Sequence, residues 1–450
     1  MIKLRITAAF LLITLVAFSI PGPKRKAIVG ILGKPSEKGI RIDSVFANST
    51  ASSLKLKKND IIISFNNKEV KNMQEFFLLA SAIRTDDPVE VKVIRGSKTM
   101  TAKGKGVMRP FEISEIADVQ YDWVTFKKGA LRTITRKPKT RLNDSLGQGK
   151  TNVPCILLIP GYGCGSIENY NSGYNGKLIN EWLKNGYAVV TIEKSGMGDS
   201  YGCEPCTEAD LVTDIQSFDA GYKYMENLSF VDKNKLYIWG HSMGGVIAPE
   251  IAKLHKPKGV MVFGTVFRPW SEFLLEMHRV QKPLLDNYSY EQTEDFIRLI
   301  QKVYYEFFVL KKTREQLYNI PEYKNIVASE LEHKAGSNNM WGRHWKFWQQ
   351  IDSLNLAQSW EQTNCPVLVI NGGTDYEQCA PIEPILIEQT VNAARPGTAT
   401  RVQIEDLDHF MMKSNSYKEA VENFRNGMYA KGNFNYKITD EILKWLNKNN

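Results

Sequence analysis

Uniformly apolar runs punctuate the second half of the chain, at residues 155–159 (CILLI), 188–192 (AVVTI), 236–239 (LYIW), 259–263 (GVMVF) and 367–370 (VLVI). None of them alternates with polar residues, so each reads as a strand covered on both faces. Stretches of helical pattern separate them. That rhythm predicts a mostly parallel sheet with helices on both sides. A hairpin is predicted ahead of it, with arms at 120–126 and 131–135 and a turn at Lys127-Lys128-Gly129-Ala130, followed by a polar loop over 137–152. Between Pro269 and Leu356 the rhythm breaks into a long helical insert rich in Trp, Tyr and Phe. The insert is predicted to cap the C-terminal edge of the sheet. Two helices, near 418–424 and 439–446, close the chain.

The first hundred residues follow another pattern. Strand-like runs at 27–32, 39–46, 60–65 and 89–94 surround a helical stretch at 72–83. The stretch GIRIDSVFANSTASSLKLKKNDIIISFNNKEV resembles a PDZ domain of the bacterial kind. The resemblance implies that Ala51 and Leu54 pack inside, and that Leu56-Lys57-Lys58-Asn59-Asp60 leads into the next strand. Asn59 stands where such domains usually carry glycine. The resemblance also implies a peptide ligand captured by strand addition, near Gly30-Ile31-Leu32-Gly33. The alternative is a spacer that docks only on its own neighbour. The expected division is residues 1–23 as leader, 24–107 as the small α+β PDZ-like domain, 108–119 as linker, and 120–450 as the larger domain, with its cap over about 269–356.

The leader, MIKLRITAAFLLITLVAFSIPGPKRK, sets Lys3 and Arg5 before an apolar core over 8–20, with small residues at Ala17 and Ser19 for cleavage. It reads as an export signal, placing the protein in the periplasm or outside the cell. The alternative is an uncleaved N-terminal anchor, the one membrane contact expected. No cysteine precedes Cys155, which argues against a lipoprotein. Export permits disulfides among the six cysteines, Cys155, Cys164, Cys203, Cys206, Cys365 and Cys379. Cys203-Glu204-Pro205-Cys206 lies in a loop and lacks a second ligand pair, so it reads as part of a structural disulfide, with Cys164 as partner, and not as a zinc or redox site. The formal net charge of +9 brings no nucleic-acid motif with it. The densest basic stretch, Lys127, Lys128, Arg132, Arg136, Lys137, Lys139 and Arg141, reads as a solvated hairpin face.

Chemistry enters at Gly240-His241-Ser242-Met243-Gly244, placed between an apolar strand and a helix with small residues at its start. A serine there sits on a turn too tight for a β-carbon two residues to either side. A serine hydroxyl needs a base, and the base needs an acid to orient it. Of His241, His255, His278, His333, His344 and His409, only His409 follows a late strand in a loop before a helix. Asp375, just past the 367–370 strand, is the acid expected, with Glu377 the runner-up and Asp408 too close to His409 to reach its far nitrogen. The oxyanion donors are expected from the backbone of Met243 and of Tyr162, in the glycine-rich turn Pro160-Gly161-Tyr162-Gly163-Cys164-Gly165.

The order Ser242, Asp375, His409, with that turn, the elbow and the loop Lys194-Ser195-Gly196-Met197-Gly198-Asp199-Ser200, resembles the α/β-hydrolase superfamily. The resemblance implies a doubly wound, mostly parallel sheet with a helical cap and an acyl-enzyme mechanism without metal or organic cofactor. Pro249, inside the helix after the elbow, departs from the pattern and is expected to kink it. The expected activity is hydrolysis of a carboxylic ester, then of a peptide bond. A binding protein with a silent hydrolase shell is the reading from a different class.

Overall fold

The computed structural model describes residues 22–139, 152–168, 173–428 and 432–450. Residues 1–21 of the expected leader and most of the polar loop at 137–152 lie outside the described residues. Among the described residues no helix is long and apolar enough to cross a membrane.

The N-terminal sheet comprises β1 (Ile31–Ser36), β2 (Gly39–Val45), β3 (Ile61–Phe65), β4 (Lys68–Glu69), β5 (Pro88–Arg95) and β6 (Lys98–Lys105). Its order is β1-β2-β3-β5-β6, with β4 attached to β3. The strand expected at 27–32 starts its ladder only at Ile31, because Gly30 turns the chain at φ 76°. Residues 26 and 27 instead bridge to Arg84 and Met108. Ala51 and Leu54 are buried, as the resemblance implied. Asn59 adopts φ 70°. Asparagine tolerates that left-handed conformation better than most side chains, so it serves where glycine is usual. The helix Met73–Ala82 is capped by Asn72, whose side chain accepts from the Glu75 amide at 2.9 Å.

The main sheet comprises β7 (Ala117–Phe126), β8 (Gly129–Pro138), β9 (Val153–Ile159), β10 (Ala188–Ile192), β11 (Val231–His241) and β12 (Gly259–Phe263). After the short cap strands β13 (Asn339–Met340) and β14 (Arg343–His344), it resumes with β15 (Val367–Gly372) and β16 (Ala399–Ile404). The strand order is β16-β15-β12-β11-β9-β10-β8-β7, parallel from β16 to β10 and antiparallel beyond. The uniform apolarity has its physical reason here. Cys155, Leu157 and Ile159 join one core, while Ile156 and Leu158 join the other, and β11, β12 and β15 divide in the same way. Helices Leu211–Glu226, Met243–His255 and Ile382–Ala394 cover the first face; Gly173–Lys184 and Lys437–Lys448 cover the second. The helix Met243–His255 continues through Pro249.

The insert over 269–356 begins with helices Trp270–Asp286 and Tyr290–Tyr304. Its aromatic residues Phe273, Tyr304, Phe307 and Trp348 belong to the same core as the sheet's first face. The cap is therefore an outgrowth of that core, and its inner aromatic wall faces the C-terminal ends of β9, β11 and β12.

One expectation about the junction is corrected. The hairpin's inner strand is not a solvated basic face. Strand β8 pairs on both edges, with β7 and β10, so Arg132 and Arg136 are buried and require anions. Arg136 makes a bidentate pair with Glu112, 2.7 Å on each arm, and Arg132 donates to Asp199 at 3.2 Å. The linker at 108–119 is likewise strapped down: Glu112 lies in it, and its last residues already belong to β7. Arg25 completes the junction. It pairs with Glu168 and with Asp199 (2.9 Å), donates to the Arg109 and Pro110 carbonyls, and lies over the rings of Phe111 and Tyr121. From the small domain, Arg84 donates to the carbonyls of Gly198 and Ser200.

The C-x-x-C does not close on itself. Cys206 bonds to Cys164, with Cα atoms 5.7 Å apart, and Cys203 stays free. The expected partner Cys164 is the one found.

Two measurements check these features. Arg25→Ala strands buried carboxylates and should cost roughly 3 kcal/mol in denaturant unfolding; the loss should be less than additive with Asp199→Ala, because the two share one network. In unreduced peptide mapping the linked pair should be Cys164–Cys206, with Cys203 alkylated before the buried Cys155, Cys365 and Cys379. Removing the bridge by a Cys164→Ser, Cys206→Ser pair should cost up to about 4 kcal/mol.

Candidate active site

Ser242 sits where the sequence predicts, on the turn from β11 into the helix Met243–His255. Its backbone is held at φ 55°, ψ −122°, a strained conformation for a residue with a side chain. The flanking glycines permit it. A Cβ on Gly240 would lie 2.5 Å from the Gly244 carbonyl oxygen, and one on Gly244 would lie 2.1 Å from that of Ile159. The Ser242 amide donates to the carbonyl of Phe263, at the end of β12, at 2.9 Å.

Asp375 follows β15 and His409 follows β16. The His409 Nδ1–H donates to both carboxylate oxygens of Asp375, at 3.0 and 2.9 Å. The Asp375 carboxylate is itself oriented, accepting from the amides of Glu377 (3.0 Å) and Gln378 (2.8 Å). Gly264, at φ 61°, leaves room for the pair: a Cβ there would come within 3.0 Å of Asp375 Oδ2 and 3.1 Å of His409 Nδ1. Burial disfavours the charged His409 ring, but the Asp375 carboxylate outweighs it and holds the imidazole above its ordinary value.

The runners-up have other employment. Asp408 accepts from the Phe410 and Met412 amides and so shapes the loop that carries His409; burial pushes its carboxyl up to about 6. Glu377 lines the cavity and is pushed up, chiefly by burial. His241, beside Ser242 in the elbow, has its ring engaged elsewhere. Its Nε2 donates to the His409 carbonyl at 2.9 Å, so it steadies the backbone that carries the imidazole. Burial pushes it down to about 3, which keeps it neutral.

Ser242, Met243, Tyr162, His409 and His241 all line one cavity of about 880 Å³, roofed by Trp270, Phe273, Tyr304, Trp341 and Trp348 of the cap. The Tyr162 ring meets Trp348 edge-on at 5.2 Å. Gly161 packs against the serine, where a Cβ would be 3.5 Å from Ser242 Cβ.

Sequence reasoning missed the groups beneath this turn. The Lys194 ammonium donates to the carbonyls of Gly161 (2.6 Å) and Gly163 (3.3 Å). Arg343, on β14 of the cap, donates to the Tyr162 carbonyl at 2.9 Å. Asp214 lies between the two cations, 2.8 Å from Arg343 and 3.7 Å from Lys194. All three are buried. Burial pushes Lys194 down to about 8, with Asp214 opposing and Arg343 reinforcing. Lys194 stands in the glycine-rich loop quoted from the sequence, but nothing local marks Asp214 or Arg343. Among the described residues no group of His, Cys, Asp and Glu is arranged to hold a metal ion.

Comparison with known proteins agrees with this architecture. Residues 156–422 match the model of the alpha/beta hydrolase family, and residues 27–105 match that of the PDZ domain. Esterase EstD of Thermotoga maritima is 24% identical over 220 residues, 48% of this chain and 44% of EstD. The serine protease Do-like HtrA of Bacillus subtilis is 34% identical over 87 residues, 19% of each chain. This chain thus spans less than half the length of either relative. Among solved structures, Est1E from Butyrivibrio proteoclasticus with ferulic acid bound is 16% identical, with a TM-score of 0.41, covering 68% of this chain and 98% of that one. Acetyl xylan esterase 1 from Thermoanaerobacterium sp. JW/SL YS485 is also 16% identical, with a TM-score of 0.41, covering 72% of this chain and 86% of the other. With sheet, elbow and family match in agreement, the chain belongs to the alpha/beta hydrolase family and carries a PDZ domain ahead of that fold.

Proposed function

We propose that this protein is a serine hydrolase that cleaves carboxylic esters through an acyl-enzyme. One observation carries the reading: an imidazole bonded to a buried, doubly oriented carboxylate at 2.9 Å shares a cavity with a serine on a strained elbow. His409, with Nδ1 committed to Asp375, takes the Ser242 proton at its other nitrogen as Ser242 Oγ bonds to the acyl carbon. The Tyr162 and Met243 amides hold the resulting oxyanion. His409 returns the proton to the leaving alcohol, and water releases the acid by the same route. The aromatic roof suits an apolar acyl group, and the EstD likeness supports an ester substrate.

A peptide bond is the second reading, favoured by the PDZ domain, whose sheet ends at the edge strand β1 and so leaves that ladder open to a peptide strand. Export to the periplasm or beyond, with the leader cleaved or kept as an anchor, belongs to the same proposal.

A fluorophosphonate probe should label the wild type and leave Ser242→Ala unlabelled; equal labelling of both moves the nucleophile elsewhere. Short p-nitrophenyl esters should be hydrolysed faster than aminoacyl anilides, and the reverse order makes the enzyme a peptidase. The base works only when neutral, so kcat/KM should rise with pH through the His409 pKa, above the usual histidine value of about 6.5. Asp375→Asn removes the chief group that opposes burial and leaves the weaker pull of Glu377 and Asp408. It should move that rise to lower pH and cut kcat by a factor on the order of 10⁴. A comparable loss in Glu377→Gln with Asp375→Asn unaffected would transfer the role to Glu377.

A further inference from the structure

The turn at 161–164 has three consecutive carbonyls, and each is claimed by a cation beneath it: Gly161 and Gly163 by Lys194, Tyr162 by Arg343. The next residue, Cys164, is fixed covalently to Cys206. In a trans peptide the C=O and the following N–H point in opposite directions. The Gly161 carbonyl and the Tyr162 amide share one such plane. A carbonyl held down on Lys194 at 2.6 Å therefore turns the Tyr162 N–H to the opposite side of the strand. Without the cation, Gly161 on one side of that plane offers no side chain to resist a flip.

Resting on the hydrolase reading above, we infer that Lys194 is a positioning residue which, with Asp214 and Arg343, sets the Tyr162 amide as an oxyanion donor. The placement of the cluster favours this role over simple packing. A buried lysine is costly to hold, and among the described residues this one gives its hydrogen bonds to main-chain oxygens of the turn, with Asp214 as its ion-pair partner. Asp214 offsets both cations from the helix Leu211–Glu226. Arg343 adds a tie from the cap: its guanidinium also donates to the Ala209 carbonyl and lies over Phe347 at 4.1 Å, so docking of the β13–β14 hairpin and the shape of the turn are one event.

The test is Lys194→Met in the full chain, in which Asp214 keeps Arg343 as its partner. Ester hydrolysis is measured alongside inhibition by an alkyl trifluoromethyl ketone. With that inhibitor Ser242 Oγ bonds to the carbonyl carbon, the carbonyl electron pair moves to oxygen, and the serine proton passes to His409, leaving a stable oxyanion in the site. The expected result is a fall in kcat of at least about tenfold with KM changed less than about threefold, and a matching loss of ketone affinity. A kcat for Lys194→Met within about threefold of wild type, or a lower kcat with ketone affinity intact, overturns the inference while leaving the hydrolase reading in place. Absence of labelling and hydrolysis in the wild type overturns both. Should Lys194→Met fail to fold, Lys194→Gln carries the same test, since its amide reaches one carbonyl, with a smaller kcat loss and the same unchanged KM expected.

Discussion

The close approach of β11 to β9 is the constraint on which the rest of the site depends. These strands pair in parallel from Leu236 against Cys155 to Gly240 against Ile159. The turn after β11 therefore lands on the turn after β9, with room for no side chain at Gly244. That contact strains Ser242 and brings Gly161 beside it. Neither turn is a site alone; the Ser242 turn and the glycine-rich turn after β9 become neighbours because a ladder of backbone hydrogen bonds aligns the strand ends. The strain at Ser242 is held by its neighbours on both sides, through the Phe263 carbonyl and the glycine contacts.

Around that contact, buried charge is used to fix backbone. Asp375 takes two amides and an imidazole, Asp408 takes two amides of the same loop region, and Lys194 and Arg343 take three carbonyls. Isolated, each ion would be expensive in an apolar interior. Bonded to main chain and to an opposite charge, each gives a loop a single conformation. The same device joins the domains, where Arg25, Arg132 and Arg136 meet Glu168, Asp199 and Glu112. Asp199 belongs to the loop that begins with Lys194. One glycine-rich segment thus touches the PDZ side at one end and the turn at 161–164 at the other.

Some of this was legible in the chain. Uniformly apolar runs announced strands covered on both faces, and β10 and β12 fall on the predicted residues because glycine, lysine or proline bounds them closely. The elbow was legible because its sterics are local: a serine between glycines separated by two residues makes sense only on a tight turn. Asp375 and His409 were legible as residues just past strand ends, where parallel topology gathers side chains at one edge. The buried state of Arg132 and Arg136 was not, because an alternating basic strand looks solvated until both of its edges are known to be paired.

The sequence alone determined the elements, the strand-end positions of Ser242, Asp375 and His409 and the covalent capacity for a disulfide. All of these follow from periodicity and local sterics within about ten residues. Tertiary structure alone decided which cysteine of the C-x-x-C joins Cys164, which cations lie beneath the turn at 161–164, and that His241 braces the backbone of His409. Those choices depend on groups between 31 and 181 residues apart meeting in space. A linear pattern carries no distance between such groups; packing of the cap, the loop and the sheet supplies it.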